Sequence, residues 1–113
     1  MAQSPVERTR NVLKHYGISS WKAEFFNQFM KIRQDMFGFI DYVALYPDSI
    51  CGLQICGKDF AEHDRKILAN KYAPKWIESG GTIELWAWRK LKGGWDAKIR
   101  PYDLTDFESI KIN

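Results

Sequence analysis

Apolar residues recur with different periods along the chain, and the changes of period predict where helices and strands lie. Near the N-terminus, Ser4 followed by Pro5 is typical of a helix start, and Gly17 is a suitable stop. Residues 18–26, ISSWKAEFF, alternate apolar and polar positions, which predicts a half-buried strand, and residues 27–31 are interpreted as a connection. The predicted apolar face of that strand carries Trp21, Ala23 and Phe25.

The most apolar stretch of the chain covers residues 37–46, FGFIDYVALY. Both of its alternating faces are apolar, which predicts a central strand that is covered on both sides. Pro47-Asp48-Ser49 is typical of a turn, and residues 50–57, ICGLQICG, then form the second strand of a hairpin.

A helical pattern returns at Asp59, which with Glu62 resembles a capping box. Pro74 interrupts this helix or restarts a second one. Residues 82–90, TIELWAWRK, alternate again and predict a strand, followed by a turn and an edge strand that tolerates Pro101. The predicted order is therefore helix, three strands, helix and one or two strands. We predict a single α/β domain over residues 1–113, with a central mixed β-sheet flanked by helices.

Composition narrows the class of protein. A chain that is 45% hydrophobic, with charges spread along it, is typical of a globular domain, and a net charge of +3 is too small to decide for or against nucleic acid. No apolar stretch approaches the length of roughly 20 residues that spans a bilayer, and the N-terminus has no apolar signal region, so we expect a cytoplasmic protein without a membrane span. Cys51 and Cys56 fall on opposite faces of one strand, which predicts reduced thiols.

Asp41 is the unusual residue of the apolar stretch. A buried carboxylate must be paired, hydrogen-bonded, protonated or bound to a cation. Gln54 on the next strand is expected to stand beside Asp41 across the hairpin. With the backbone carbonyl of Ile55, these two side chains predict a hard-oxygen site for Mg²⁺ or Mn²⁺, and a hydrogen-bonded pair without metal is the alternative.

His63 and Lys66 are three residues apart on the following helix and therefore share one of its faces. One of them could orient or deprotonate an attacking water, or both could belong to a solvated surface. Arg33 and Asp35 are interpreted as an exposed loop pair, and Glu24 as either a solvent residue or a further acid near the site.

Three stretches of the chain resemble the PD-(D/E)XK nuclease superfamily, and within it the small phage and prophage proteins related to Holliday-junction resolvases and VRR-type nucleases. They are RQDMFGFIDYVAL, GLQICGKDFAEHDRKI and WIESGGTIELWAWRK. The resemblance implies a restriction-endonuclease-like core. It also implies that the metal-binding aspartate is Asp41, that the second acid is replaced by Gln54 and that the lysine is replaced by Cys56.

These two replacements weaken the implied site. Glutamine offers an oxygen but no negative charge, and a thiol is mostly neutral at pH 7 and cannot replace an ammonium group. Lys66 is the first candidate for the missing lysine, because the superfamily relocates it to the neighbouring helix, and Lys58 is the second. The resemblance places an auxiliary acid at Glu7.

We therefore predict a Mg²⁺-dependent endonuclease that acts on DNA. Branched DNA, the substrate of resolvases, is one candidate substrate. Arg33, Arg65 and Arg89 are candidates for phosphate contacts. One alternative is a catalytically silent protein of the same fold that binds DNA or a protein partner. Another is a homodimeric interaction module. Trp86 and Trp88 share a face of their strand, and that face would be the dimer contact in such a module or part of the core otherwise.

Overall fold

The computed structural model describes residues 3–108. Three helices and seven strands lie in this part of the chain, followed by the 3₁₀ helix Leu104–Phe107. In order they are α1 (Pro5–His15), β1 (Ser19–Lys22), β2 (Phe25–Asn27), β3 (Ile32–Gln34), β4 (Tyr42–Tyr46), β5 (Ser49–Cys56), α2 (Phe60–Leu68), α3 (Ala73–Glu78), β6 (Thr82–Leu91) and β7 (Gly94–Tyr102). None of the helices in residues 3–108 is both long enough and apolar enough to cross a membrane.

Five strands form a mixed sheet in the order β1-β4-β5-β6-β7, and β2 and β3 form a separate two-stranded hairpin. β5 and β6 are parallel, and every other neighbouring pair is antiparallel. The parallel pair requires a crossover, which α2 and α3 supply. The predicted α/β class and the central mixed sheet flanked by helices are confirmed.

Two apolar layers hold the helices on the sheet. Successive residues of β5 alternate between them, so that Cys51, Leu53 and Ile55 face α1 while Cys56 faces α2 and α3. Both cysteines are buried and free, on opposite faces of the strand as predicted. β5 is the middle strand of the sheet and is buried over most of its length, whereas the central position was predicted for the strand over residues 37–46, whose β4 lies between β1 and β5.

Helix α1 begins as its sequence predicts, while α2 begins with a different cap. Ser4 Oγ accepts a hydrogen bond from the Glu7 N–H at 3.1 Å, and Glu7 Oε1 accepts one from the Ser4 N–H at 2.9 Å. These two bonds form a capping box. At α2, Asp59 is the N-terminal cap residue but its side chain makes no capping hydrogen bond, so the capping box predicted there is wrong.

The strand predicted over residues 37–46 is shorter in the structure, because β4 begins only at Tyr42. Phe37 and Gly38 both have positive φ, 55° and 83°, and the chain reverses around them while Met36 pairs with Ile40. Glycine adopts this backbone at little cost, which locates the turn inside the apolar run. As a consequence, Asp35 and Asp41 lie on either side of one tight turn.

The half-buried strand predicted over residues 18–26 is also wrong. The chain forms β1 and β2 with a break between them, and Trp21 is 79% exposed. Residues 27–31, interpreted as a connection, lead through a turn into β3 and complete a hairpin. Alternation identifies an apolar face but does not ensure that another element covers it.

Trp86 and Trp88 are buried beneath α1 in the same apolar layer. Trp88 Nε1 donates a hydrogen bond to Thr9 Oγ1 at 2.8 Å, and Trp86 Nε1 donates to Glu84 Oε1 at 2.9 Å. Both indole N–H groups are satisfied inside the protein. Their face is therefore core, and the dimer contact considered for these two residues is not available to a second chain.

Candidate functional site

A group of charged side chains faces an open cavity of about 670 Å³. The cavity lies at the C-terminal half of β5, between the turn that precedes β4, the base of the β2–β3 hairpin and helix α2. Its lining residues are Glu24, Phe25, Arg33, Gln34, Asp35, Gly38, Asp41, Gln54, Ile55, His63 and Lys66.

Asp41 directly precedes β4, and hydrogen bonds of its backbone hold it in place. Its N–H donates to the Leu53 carbonyl at 2.8 Å, and its carbonyl accepts from the Ala23 N–H at 2.8 Å. The regular pairing of β4 with β5 ends at Tyr42 and Leu53, and Asp41 and Gln54, which adjoin these two residues at the end of the ladder, both line the cavity. The Asp41 carboxylate is held as well, because its Oδ2 accepts from the Ile55 N–H at 3.0 Å.

Asp35 enters the same cavity through the tight turn. Its Oδ2 accepts from Lys66 Nζ at 3.1 Å and from Gln54 Nε2 at 3.2 Å, and its side chain is only 13% exposed. The exposed pair expected between Asp35 and Arg33 is therefore wrong. Arg33 instead pairs with Glu24, at 3.3 Å between Nη1 and Oε1.

Glu24, Asp35 and Asp41 form a compact carboxylate cluster. One carboxylate oxygen of each lies within 4.8 Å of the corresponding oxygens of the other two. Three carboxylates at this spacing concentrate negative charge, and oxygen donors alone are the ligand set that Mg²⁺ and Mn²⁺ prefer. The residues present therefore fit a hard divalent cation.

The protonation of this cluster is uneven. The pKa of Asp41 is raised to about 8, mainly by burial and next by the hydrogen bond with Asp35, while the hydrogen bond from the Ile55 N–H acts in the opposite direction. Burial also raises the pKa of Asp35, but hydrogen bonds with Asp41, Gln54 and Lys66 outweigh it and hold that pKa below its ordinary value. Asp35 is thus the ionised member of the pair at pH 7, and Asp41 is the member that tends to keep its proton.

Gln54 is 1% exposed, and both ends of its amide are in use. Nε2 donates to the Phe39 carbonyl at 3.0 Å as well as to Asp35, and Oε1 accepts from Lys66 Nζ at 3.0 Å. The amide oxygen predicted as a metal ligand thus faces a cation of the protein itself. In this arrangement Gln54 positions Lys66 and Asp35. The carboxylates that lie near that of Asp41 are those of Glu24 and Asp35.

Two residues predicted on the helix after β5 do reach the cavity. Lys66 is in contact with Asp35 and Gln54, where a relocated lysine is expected. His63 also lines the cavity, and its Nδ1 lies 2.9 Å from the Asp59 carbonyl. Because a carbonyl only accepts, Nδ1 is the donor in this contact, and Nε2 is the ring nitrogen left to accept a proton.

Ile55 and Cys56, the other two residues of β5 in the predicted site, differ in their relation to the cavity. Ile55 lines the cavity through its position beside Asp41, and the role of its carbonyl as a metal ligand stays a prediction. Cys56 is buried, and burial raises the pKa of its thiol to about 11, so it remains neutral at pH 7. A neutral thiol does not replace the ammonium group of a lysine, and the part assigned to Lys66 in its place stays a prediction.

Four other candidates lie apart from the lining of this cavity in the described residues: Glu7, Lys58, Arg65 and Arg89. Glu7 caps α1 and borders a different cavity. Arg65 is exposed on α2, and Arg89 pairs with Asp96 across the β6–β7 hairpin at 3.1 Å. Phosphate contacts by Arg65 and Arg89 stay predictions, whereas Arg33 stands at the cavity rim.

Sequence reasoning left Glu24 open between two roles and assigned Asp35 to the surface. A usable signal for Asp35 was Gly38, midway between two aspartates, since a glycine turn there brings both carboxylates together. Glu24 gave no comparable signal, because its place depends on the break between β1 and β2.

Comparison with models of protein families, with curated proteins and with solved structures gives no match to this chain.

Proposed function

We propose that this protein is a divalent-metal-dependent endonuclease that hydrolyses phosphodiester bonds of DNA. The observation that carries the proposal is the group of three carboxylates within 4.8 Å of one another, with an ammonium group 3.1 Å from one of them. Clustered acids with an adjacent lysine suit hydrolysis of a phosphodiester, which needs a bound cation, a positioned water and compensation of negative charge.

The order of the elements supports the nuclease resemblance. Asp41 precedes β4, Gln54 and Cys56 lie on β5, and two helices lead from β5 to the parallel strand β6. A PD-(D/E)XK core places its metal-binding aspartate, its second acid and its lysine on these successive elements. We infer that the chain has this restriction-endonuclease-like core, with its lysine moved from the strand to α2.

Glu24, Asp35 and Asp41 would hold Mg²⁺ or Mn²⁺ at the cavity. When bound, such an ion polarises a phosphate oxygen and lowers the pKa of a coordinated water. Asp41 would hold the ion in its carboxylate form, so it would give up its proton to do so.

The protein's own cations complete the proposed chemistry. Lys66 is held by Asp35 and Gln54, so its ammonium group is oriented before any substrate arrives and can stabilise charge that develops on the phosphate. Nε2 of His63 is an acceptor for a proton of the attacking water. Arg33, exposed at the rim, is placed to contact a neighbouring phosphate.

Two features favour the silent alternative, in the form that binds DNA, rather than a protein partner, without cutting it. Lys66 and Asp35 form an ion pair, and the residue at the second acidic position of the superfamily is a neutral glutamine. Both features reduce the negative charge available for a cation. The two functions differ in cleavage, and both predict binding.

The deciding experiment is cleavage of end-labelled duplex and four-way DNA with Mg²⁺ or Mn²⁺. We expect cleavage by the wild type and strong loss in Asp41→Asn and Lys66→Met. Asp48→Asn, in the exposed β4–β5 turn, and Lys92→Met, in the exposed β6–β7 turn, are matched controls that should cut normally. A wild type that retards DNA on a gel but cuts none of these substrates with either metal would establish the silent alternative.

A further inference from the structure

The β2–β3 hairpin forms an exposed apolar projection beside the cavity. Phe29 at its tip is 99% exposed. The other exposed large apolar side chains of the hairpin are Phe25, Phe26, Met30 and Ile32. Residues 25–34 also include Lys31 and Arg33 but no acidic residue. The projection therefore combines aromatic surface with positive charge.

The tip of this hairpin has a defined shape. Asn27 Oδ1 accepts hydrogen bonds from the N–H groups of Phe29 and Met30, each at 3.0 Å, and Asn27 Nδ2 donates to Gln34 Oε1 at 3.0 Å. The Lys31 N–H closes the turn on the Asn27 carbonyl at 2.8 Å. The ring of Phe29 is thus presented to solvent from an ordered turn.

The base of the hairpin is part of the candidate active site. Phe25, Arg33 and Gln34 line the cavity, and Arg33 pairs with Glu24 of the carboxylate cluster. A strand of DNA whose phosphate lies in the cavity would therefore pass directly along the hairpin.

We propose that the β2–β3 hairpin is a stacking surface for unpaired bases of single-stranded DNA, and that it makes the site prefer single-stranded or branched substrates. This inference rests on the proposed DNA substrate. Aromatic faces beside cations bind single strands by base stacking and phosphate attraction, and intact duplex keeps its base faces stacked inside. Phe29 is the principal stacking residue, and Lys31 and Arg33 hold the adjoining backbone.

Charge argues against a second copy of the chain as the occupant of this surface. A twofold contact between two such hairpins would bring Lys31 at the tip close to its own copy, with no acid in residues 25–34 to compensate it. The polyanionic backbone of DNA supplies the complementary charge.

The test is fluorescence anisotropy of a labelled single strand and of the corresponding duplex, both in EDTA so that cleavage does not interfere. We expect Phe29→Ala to weaken single-strand binding about tenfold, the loss of one stacked base, with a smaller effect on duplex. Phe29→Trp should retain affinity. Tyr16→Ala removes a similarly exposed aromatic ring, 72% exposed at the end of α1, and should leave binding unchanged.

Three results would overturn the inference. The first is equal single-strand affinity for wild type and Phe29→Ala. The second is a wild-type dimer that dissociates in Phe29→Ala without loss of DNA affinity, which identifies the hairpin as a contact between copies. The third is a wild type that binds an RNA strand of the same sequence but does not bind the DNA strand.

The binding readout separates this inference from the proposed hydrolysis. If the wild type cuts DNA but Phe29→Ala binds a single strand as tightly as the wild type, only the stacking role fails. If Phe29→Ala weakens binding but the wild type cuts nothing, the stacking role is supported and hydrolysis fails.

Discussion

The Asp41 carboxyl group lies in surroundings that favour its neutral form. It is partly buried between strands, Asp35 lies beside it, and the Ile55 N–H is the main group that favours its charge. Its pKa rises from 3.8 to about 8 in consequence. The unfolded chain lacks these surroundings, so the protonation of Asp41 is linked to folding.

The free energy of unfolding without metal should fall as pH rises from 3.8 to about 8. In this window the folded protein keeps the Asp41 proton, while the unfolded chain has released it. Each rise in pH therefore favours the unfolded chain, by at most about 1.4 kcal/mol per pH unit. Asp35 has the opposite effect on stability, because folding lowers its pKa, and this effect occurs below pH 3.8. Urea denaturation in EDTA across this range measures the slope.

Asp41→Asn provides the comparison for this slope. Its amide resembles the protonated acid and does not titrate, so stability in the variant should be nearly independent of pH in the same window. The variant should match the wild type near pH 4 and exceed it near pH 8, where about 8 is the pKa of Asp41. A wild type as insensitive to pH as Asp41→Asn would contradict the raised pKa.

Lys66→Met should reduce cleavage by roughly 10²- to 10³-fold, the usual cost of removing one group that stabilises transition-state charge. The side chain of Lys66 is 43% exposed, so the fold should survive, although the buried oxygen of Gln54 loses its donor. Initial cleavage rates at saturating Mg²⁺ measure the effect, with Lys92→Met as the control. A rate within twofold of the wild type would remove Lys66 from the mechanism.

At the scale of elements, the site depends on how closely β5 approaches the turn before β4. A Cβ added at Gly52 would lie 2.9 Å from Ile40, which is fully buried and directly precedes Asp41. Because protein interiors are closely packed, we expect the strain to pass from the buried Ile40 to the turn that presents Asp35 and Asp41.

Gly52→Ala should therefore destabilise the protein by about 1–3 kcal/mol and weaken metal-dependent cleavage together. Urea denaturation and cleavage rates measure the two effects. Gly93→Ala is the matched control, because a Cβ there meets no atom within 4 Å and Gly93 has no positive φ. Normal stability in Gly52→Ala would show that β5 and the turn are less tightly coupled than their spacing indicates.

At the scale of the whole molecule, one sheet links the site to both apolar layers. A cation that binds only the folded protein should stabilise the entire unit, by about 2.7 kcal/mol at a concentration 100 times its Kd. The effect should grow as pH rises to about 8, because the cation and the Asp41 proton compete for the same carboxylate. The Tm with Mg²⁺, Mn²⁺ or EDTA measures this stabilisation.

Asp35→Asn and Asp41→Asn should lose that increase in Tm, whereas Asp48→Asn should keep it. Asp41→Asn is informative here, because it should be more stable than the wild type in EDTA near pH 8 and yet gain nothing from Mg²⁺. An equal increase in Tm in all three variants would place the cation outside the cluster of Glu24, Asp35 and Asp41.

Local patterns were sufficient for much of the fold. The cap at Ser4, the turn at Pro47-Asp48-Ser49 and the restart near Pro74 each act within a few residues, and the structure has helix or strand boundaries there. The break between β1 and β2 was not predictable in this way, because Trp21 and Phe25 alternate as a buried face would and yet remain exposed. Burial depends on what lies opposite a strand, and alternation does not contain that information.

The sequence by itself determined the class of fold, the neighbouring positions of Asp41 and Gln54, and the helix face that carries Lys66. All three follow from the repeat of a strand or a helix and from one hairpin. Only the tertiary structure decided that Asp35 and Glu24 join Asp41, and that the Gln54 oxygen faces Lys66. Those contacts arise where a glycine turn, a separate hairpin and a helix converge in space, and the direction of a side chain there depends on groups distant in the chain.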